Sequence, residues 1–286
     1  MAKRKLIFIS IILFLFSAGC SGGEYSAEKL YWKATKEYNS LIKNLEQARA
    51  TDFQKVIIDY REVIGRFPRW RNTPKAYFNI SRIYVIQKQY SQARAELEKL
   101  KENFSKMPDI CANAEFTIGV IYEGEDRWNE ALKHFKIVED EYPRTYSALQ
   151  VPLYIMRHYK RTGEAKKENE AYNKALSKYK AVIEENPNTM GALAILDFVV
   201  TVYVEENKKD EVLAYLNELI EKYPNSAIKA KALLSKSLIY YKLGQVEESV
   251  RSLEMVISDF PDSDLAKMAQ EQINKIKEKE ENEPKN

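Results

Sequence analysis

Apolar positions along the chain follow the 3.6-residue period of amphipathic helices, and the helices predicted in this way come in pairs. Between residues 112 and 143, Ile118 and Tyr122 fall on one face of a first helix, while Ala131 and Phe135 fall on one face of a second. A short polar turn separates the two stretches. The pattern therefore predicts two antiparallel helices whose apolar faces meet.

Prolines mark the ends of successive predicted pairs. Five of them follow a helix-like stretch, and these are Pro68, Pro143, Pro187, Pro224 and Pro261. They are separated by 75, 44, 37 and 37 residues, and a further boundary near Ser105 would divide the first interval into two nearly equal parts. A fixed period of this size indicates a stacked array of helix pairs.

Hydroxyl residues stand two positions after most of these prolines, where the next helix begins. Because proline cannot continue a helix and a hydroxyl oxygen can accept a hydrogen bond from a free backbone N–H, the sequence predicts N-caps there. The predicted caps are Thr145, Thr189, Ser226 and Ser263. Thr73 and Pro74 predict a helix start of the same kind, with Thr73 as the N-cap and Pro74 in the first turn.

The period divides the chain into five repeats with a segment before and after them. The repeats are predicted at residues 74–105, 112–143, 149–187, 193–224 and 230–261. The third is longer than the last two because its interval is 44 rather than 37 residues, and we expect the seven extra residues, 164–170, to lie between its two helices. Residues 25–73 predict a divergent N-terminal pair, 74–263 the array, and 264–286 a capping helix with a frayed tail. Leu265, Met268 and Ile273 define the apolar face of that last helix.

The order of large, small and aromatic residues within each period, closing on proline, resembles the tetratricopeptide (TPR) repeat. The resemblance implies an all-α superhelical solenoid of antiparallel helix pairs with a C-terminal capping helix. In residues 112–143 we expect the small Gly119 and Ala131 to let two helices cross closely, while Tyr122 and Phe135 fill the gap between pairs.

The first twenty residues predict a targeting signal that directs the chain to a membrane. Lys3, Arg4 and Lys5 precede a short apolar run over residues 6–16, which is typical of a cleaved leader. The following Ala18-Gly19-Cys20 resembles the bacterial lipoprotein box, although Ser17 stands where that box usually has leucine. The resemblance implies a signal peptide over 1–19, acylation of Cys20 and a lipidated tether over 20–24. An ordinary secretory signal and an uncleaved anchor are the alternatives.

Composition excludes several classes of function. The chain has 45 basic and 42 acidic side chains, and without the three basic residues of the leader the two counts are equal, so a general nucleic-acid binder is not expected. Two cysteines and two histidines cannot build a disulfide framework or a histidine-based metal site, and we expect no metal or cofactor. Cys111 is predicted as a small buried side chain, and His134 and His158 as surface or edge residues. Because no catalytic motif occurs, the chain is not expected to be an enzyme.

The candidate interaction surface consists of residues on first helices that point away from the packing seam. They are Phe78, Arg82, Phe116, Val120, Leu153, Arg157, Lys160, Leu234 and Tyr241. Exposed aromatic and arginine side chains are typical of protein interfaces. The alternative is that the solenoid's own twist or the long first helix shields these residues.

The lipoprotein leader together with the repeats resembles the BamD-like outer-membrane assembly lipoproteins and the Tol–Pal-associated TPR proteins. This resemblance implies a scaffold of the bacterial cell envelope, anchored by lipid to the outer membrane, facing the periplasm and binding envelope proteins or peptide segments. A pilus-assembly lipoprotein is an alternative within that class. The competing class is an envelope hydrolase with its site in the N-terminal pair or in residues 164–170.

Overall fold

The computed structural model of the protein describes residues 2–282, with side chains described for residues 23–279, and within these bounds it contains only helices and turns. The thirteen α-helices of this part of the chain are α1 Ala2–Lys43, α2 Ala50–Arg66, α3 Thr73–Ile86, α4 Tyr90–Asn103, α5 Pro108–Gly124, α6 Trp128–Glu141, α7 Tyr146–Thr162, α8 Ala165–Glu185, α9 Met190–Glu205, α10 Lys209–Lys222, α11 Ala227–Lys242, α12 Val246–Asp259 and α13 Asp264–Asn282. A 3₁₀ turn at Leu45–Gln47 lies between α1 and α2. The predicted all-α class is confirmed.

The chain folds as two compact units, Met1–Val151 and Pro152–Asn286. In the first unit α1 packs on α2, α3 on α4 and α5 on α6, and each pair also packs on the next. In the second unit α8 packs on α9, α10 on α11, α11 on α12 and α12 on α13. Because helices in contact are joined by short turns, neighbours run antiparallel, as the pattern predicted. No helix in the described part of the chain is both long enough and apolar enough to cross a membrane.

Five of the turns share one backbone conformation, which marks the period of the fold. The residues that adopt a left-handed φ between 55° and 74° are Lys88, Asp126, Gly163, Asn207 and Gly244, one in each turn from α3–α4 to α11–α12. In every case the following backbone N–H donates to the carbonyl of a tyrosine five residues earlier, at 2.8–3.0 Å; these tyrosines are Tyr84, Tyr122, Tyr159, Tyr203 and Tyr240. This is the hydrogen bond that closes a Schellman motif at a helix end. The five predicted repeats are therefore five copies of one helix–turn–helix geometry.

The predicted caps are confirmed at four helix starts. The side-chain oxygens of the predicted cap residues each accept a hydrogen bond from a first-turn backbone N–H, at 3.0–3.3 Å, and these residues are Thr145, Thr189, Ser226 and Ser263. Thr73 differs from the prediction. It is the first residue of α3, with Asn72 before it, and its buried hydroxyl donates backward to the carbonyl of Phe67 at 2.6 Å. Pro74 does stand in the first turn, as expected.

The seven extra residues of the third repeat are helical. The second helices α4, α6, α10 and α12 each have 14 residues, whereas α8 has 21. The prediction that 164–170 lies between two helices was therefore wrong in conformation, although its position in the chain was right. Six of its seven residues are glutamate, lysine or alanine, all good helix formers, and so it adds two turns to the start of α8 instead of lengthening a loop.

Close approach of α5 and α6 depends on a glycine, as predicted. A Cβ placed on Gly119 would lie 2.7 Å from Cε1 of Phe135, well inside van der Waals contact. Phe135 is fully buried, and its ring centroid lies 5.3 Å from that of Phe116 and 5.8 Å from that of Trp128. Ala131 is also fully buried. The space beside Gly119 is therefore occupied by the ring of Phe135, which packs between Phe116 and Trp128.

The C-terminal helix α13 covers the apolar side of α11 and α12, as expected of a cap. Leu265 packs partly buried against this cluster, and Ala269, Ile273 and Ile276 are buried in it. Met268, predicted to belong to this face, is 49% exposed, so that part of the prediction was wrong. One residue further along, the smaller Ala269 takes the contact.

Candidate functional site

The first unit places its four predicted surface residues on α3 and α5, at different depths. Arg82 is exposed, whereas Phe78, Phe116 and Val120 are half-buried. Phe78 packs against the core cluster formed by α3, α4 and α5, and Phe116 packs against Phe135. These two rings therefore contribute to packing as well as to any surface, and their role in binding stays a prediction.

Two leucines predicted to be on the surface are buried in the second unit. Leu153 is 5% exposed and Leu234 is 8% exposed. Leu234 belongs to the cluster that α13 covers, which is why helical register alone placed it wrongly. A leucine on an inner helix face serves packing as well as binding, and only the position of the next helix distinguishes the two. Neither residue offers a surface to a partner in this structure.

Arg157 and Lys160 are exposed, but they are engaged with the end of α9. The Arg157 Nε lies 3.0 Å from both carboxylate oxygens of Glu205, and Lys160 Nζ lies 2.7 Å from Oε1 of Glu206. The carboxylate of Glu205 raises the pKa of the Arg157 guanidinium by hydrogen bonding, against the opposing effect of burial. Sequence inspection did not single out Glu205 and Glu206, because they looked like solvated charges at a helix end.

Tyr241 lies in a cavity of about 370 Å³ between α11 and α13, within the second unit. The cavity is lined by Ser237, Leu238, Tyr241, Ser249, Gln272, Lys275, Ile276 and Lys279. Leu238 is 50% exposed there and gives the cavity an apolar wall that a ligand can contact. The hydroxyl groups of Ser237 and Ser249 lie 2.9 Å apart, so one of them donates a hydrogen bond to the other at the inner wall.

Positive charge stands on one side of this cavity, which we call the α11–α13 pocket. Lys279 Nζ donates to the hydroxyl of Tyr241 at 3.1 Å and lies 5.5 Å from the centroid of its ring. Lys275 stands one turn earlier on the same face of α13. Apolar side chains beside two ammonium groups can accept an apolar side chain next to a carboxylate. The i, i+4 spacing of Lys275 and Lys279 was visible in the sequence, but that helix was interpreted only as a cap.

A buried carboxylate forms a second polar centre between α4, α5 and α6. Glu115 is 1% exposed; it accepts a hydrogen bond from Lys101 and lies 2.6 Å from Nδ1 of His134. Burial raises the pKa of Glu115, but the hydrogen bonds from His134 and Lys101 outweigh it and hold the pKa below its usual range. The His134 ring stacks on Tyr122 with centroids 5.0 Å apart. His134 is thus an edge residue with a carboxylate partner that the sequence did not reveal.

The remaining candidate side chains carry no reactive arrangement. Cys111 is 3% exposed, as predicted, and burial raises the pKa of its thiol, which disfavours the nucleophilic thiolate. His158 is 7% exposed, so its predicted surface position was wrong. Residues 164–170 are mostly exposed first turns of α8. Over the described ranges, no group of three or more histidine, cysteine, aspartate or glutamate side chains is placed to hold a metal ion. Cys20 lies outside the described side chains, and its acylation stays a prediction.

Several solved structures are similar to this chain at low identity. The PilF protein of Pseudomonas aeruginosa is 10% identical, covers 86% of this chain and 99% of its own, and gives a TM-score of 0.35. The widely conserved type IV pilus biogenesis factor PilW is 13% identical, with 83% and 98% covered and a TM-score of 0.33. Aspartyl phosphate phosphatase F from Bacillus subtilis is 13% identical, with 85% and 61% covered and a TM-score of 0.41. Similarities of this size carry no functional inference.

The family comparison is more specific. No curated protein matches the chain. The family model described as tetratricopeptide repeat matches residues 201–226 and 231–263. The second of these ranges covers most of α11 and all of α12, and the first covers the end of α9 and all of α10. Proteins built from this repeat bind other proteins or peptides, which agrees with the class of function predicted from the sequence. The similarity of this chain to the tetratricopeptide repeat family therefore covers residues 201–226 and 231–263.

Proposed function

We propose that this protein is a non-enzymatic scaffold of the bacterial cell envelope, anchored by an acylated Cys20 to the outer membrane and binding protein segments on its periplasmic side. The α11–α13 pocket is the observation that carries the binding part of this proposal. It combines an exposed leucine, an aromatic hydroxyl and two lysines beside tetratricopeptide repeats. Its preferred ligand is a short segment with an apolar side chain next to a carboxylate.

The pathway we propose is outer-membrane protein assembly. The support is the resemblance of the leader and the proline-punctuated repeats to the BamD-like lipoproteins. A segment with an apolar side chain beside a carboxylate suits the pocket whether it belongs to an unfolded envelope protein or to the tail of an assembly partner. The same surface would serve a Tol–Pal or pilus-assembly accessory protein, so the pathway is tested separately from the binding.

Reversing the charge of the pocket is expected to abolish its preference for acidic segments. With the double substitution Lys275→Glu and Lys279→Glu, affinity for immobilised peptides that carry leucine beside aspartate should fall by about tenfold or more, because paired charges at an interface contribute about 1.4 kcal/mol or more. The measurement is binding of the labelled full chain to an array of such peptides and of their asparagine counterparts. Lys267→Glu together with Lys277→Glu changes two exposed lysines of the same helix outside the pocket and is the control with the same change in charge. Equal losses in the two variants, or no difference between aspartate and asparagine peptides, would refute the pocket assignment.

Acylation is tested at Cys20 alone. Cells fed labelled palmitate should incorporate the label into the wild-type chain and not into Cys20→Ser, because only the thiol of that residue can accept the lipid that the leader predicts. The position of the chain in membrane fractions is measured in parallel. Equal labelling of both chains would refute acylation at Cys20 and would not affect the proposal of binding in the α11–α13 pocket.

A further inference from the structure

The outward face of α1 carries aromatic and cationic side chains in one stripe. Successive residues of an α-helix are rotated by about 100° around the helix axis. The side chains that lie within about 40° of one line along α1 form the stripe. They are Tyr25, Lys29, Trp32, Lys36, Asn39 and Lys43. All six are exposed, and the exposures of Tyr25 and Trp32 reach 69% and 63%. The opposite face is buried against the rest of the first unit through Ala27, Ala34 and Leu41.

This face, the α1 stripe, is unlike an ordinary solvated helix surface. Large aromatic side chains seldom stay so exposed in water, and the two here stand seven residues apart, two turns along one line. Lys36 lies over the Trp32 ring at 5.5 Å from its centroid, so an ammonium group and an indole ring stand side by side. The rest of the first unit therefore leaves an amphipathic pair of aromatics uncovered.

The charge of the α1 stripe has one sign. It holds three lysines and no carboxylate. The nearest acidic residues are Glu28, about 60° from its centre, and Glu24, which points further round and pairs with Arg71 at 3.5 Å. A partner surface that matches this stripe must therefore be negatively charged and must also bind aromatic rings beside the lysines.

We infer that the α1 stripe lies against the surface of an anionic lipid bilayer. Tryptophan and tyrosine prefer the boundary between headgroups and acyl chains, and lysines are attracted to the anionic headgroups around it. Tyr25 is five residues after Cys20, so even a fully extended tether keeps the start of the stripe within about 17 Å of a lipid attached there. The inference deepens the proposed anchoring, on which it rests, because it adds an orientation: the first unit lies with α1 toward the membrane.

The position of Trp32 relative to the bilayer tests this directly. The full chain is extracted from bacterial membranes and reconstituted into phosphatidylcholine vesicles, with or without phosphatidylglycerol, that contain lipids brominated near the headgroup. The fluorescence of Trp32 is obtained by subtracting the emission of Trp32→Phe from that of the wild type. This substitution changes one exposed ring and leaves the other tryptophans in place. Quenching of Trp32 by the brominated lipid, stronger with phosphatidylglycerol, is the expected result. Quenching of Trp32 by aqueous acrylamide to the same extent with and without vesicles would overturn the inference.

Two further comparisons test whether docking depends on the α1 stripe itself. One distinguishes it from attraction by net charge, and the other distinguishes it from binding to a protein. Replacing Lys29, Lys36 and Lys43 by glutamine should lower the ratio of docked to undocked chain by about fivefold for each lysine removed. Lys166, Lys209 and Lys242 are exposed on α8, α10 and α11 and provide a control triple substitution with the same change in charge. Equal effects of both triples, or shielding of Trp32 only after an envelope protein extract is added, would also overturn the lipid surface. If the full chain is not recovered from membranes, anchoring fails, and the same quenching with chain added to preformed vesicles still tests the stripe.

Discussion

Gly119→Val is expected to destabilise the first unit strongly, because the helices at this point have no space for a side chain. The first added carbon would meet the Phe135 ring at 2.7 Å, and that ring is fully buried between Phe116 and Trp128. Because the ring cannot move aside without displacing both neighbours, α5 and α6 must separate. We expect the free energy of unfolding to fall by about 3 kcal/mol, measured by urea denaturation.

The control for this substitution is another helical glycine. Gly65 lies in α2 with nothing within 4 Å of its Cβ position, so Gly65→Val should change stability by about 0.5 kcal/mol or less. A double variant with Gly119→Val and Phe135→Ala should be less unstable than the sum of the two single changes, because the second change removes the clash made by the first. Additive losses, or equal losses at 65 and 119, would contradict the close crossing of the two helices.

Glu115→Gln is expected to have the second-largest effect, and this effect depends on pH. The carboxylate of Glu115 is 1% exposed, accepts a hydrogen bond from Lys101 and lies 2.6 Å from Nδ1 of His134. Neutralising it removes the anion beside His134 and leaves Lys101 with Glu98 as its remaining carboxylate partner. Charge-assisted hydrogen bonds to a buried group contribute more than neutral ones, and we expect a loss of about 2–3 kcal/mol at neutral pH. Thermal or urea unfolding of both chains measures it.

The sign of the pH dependence follows from the lowered pKa of Glu115. A carboxyl group whose pKa in the folded chain lies below its unfolded value of 4.5 contributes stability that is complete above that value and is lost as pH falls through the folded pKa. The stability difference between wild type and Glu115→Gln should therefore be present at neutral pH and should close as the pH falls below 4.5. Glu62→Gln, at an exposed glutamate paired with Arg66, should change stability by only a few tenths of a kcal/mol at any pH. A difference that persists unchanged in acid would show that the effect is one of shape and not of charge.

The periodic part of the fold could be predicted because it is local. Helix faces, the caps at Thr189 and Ser226, and the closeness of Gly119 to Phe135 all follow from spacing along one or two helices. The shared turn conformation was harder to see. Its left-handed residue is glycine at 163 and 244, but lysine, aspartate and asparagine at the other three turns, so no single residue type marks it.

The surface could be predicted only in part, because exposure depends on helices that are distant in sequence. Leu234 was assigned to a groove, yet α13, which begins thirty residues later, covers it. For the same reason Lys275 and Lys279 were missed, since a capping helix becomes the wall of a pocket only when Tyr241 lies opposite. Glu115 shows the same limit. A glutamate on a first helix resembles a solvated charge until Lys101 and His134 from neighbouring helices enclose it.

Site-specific crosslinking in intact cells tests the central claim, that this anchored chain holds protein segments in the α11–α13 pocket. A photoreactive amino acid is placed at Leu238, whose half-exposed side chain opens into the pocket, and separately at Met255, which is 41% exposed on α12 outside it. We predict discrete protein adducts from 238 that are absent from 255 and that disappear when Lys275 and Lys279 are both changed to glutamate. Adducts of the same pattern from both positions, or adducts from 238 that survive the charge reversal, would contradict the account.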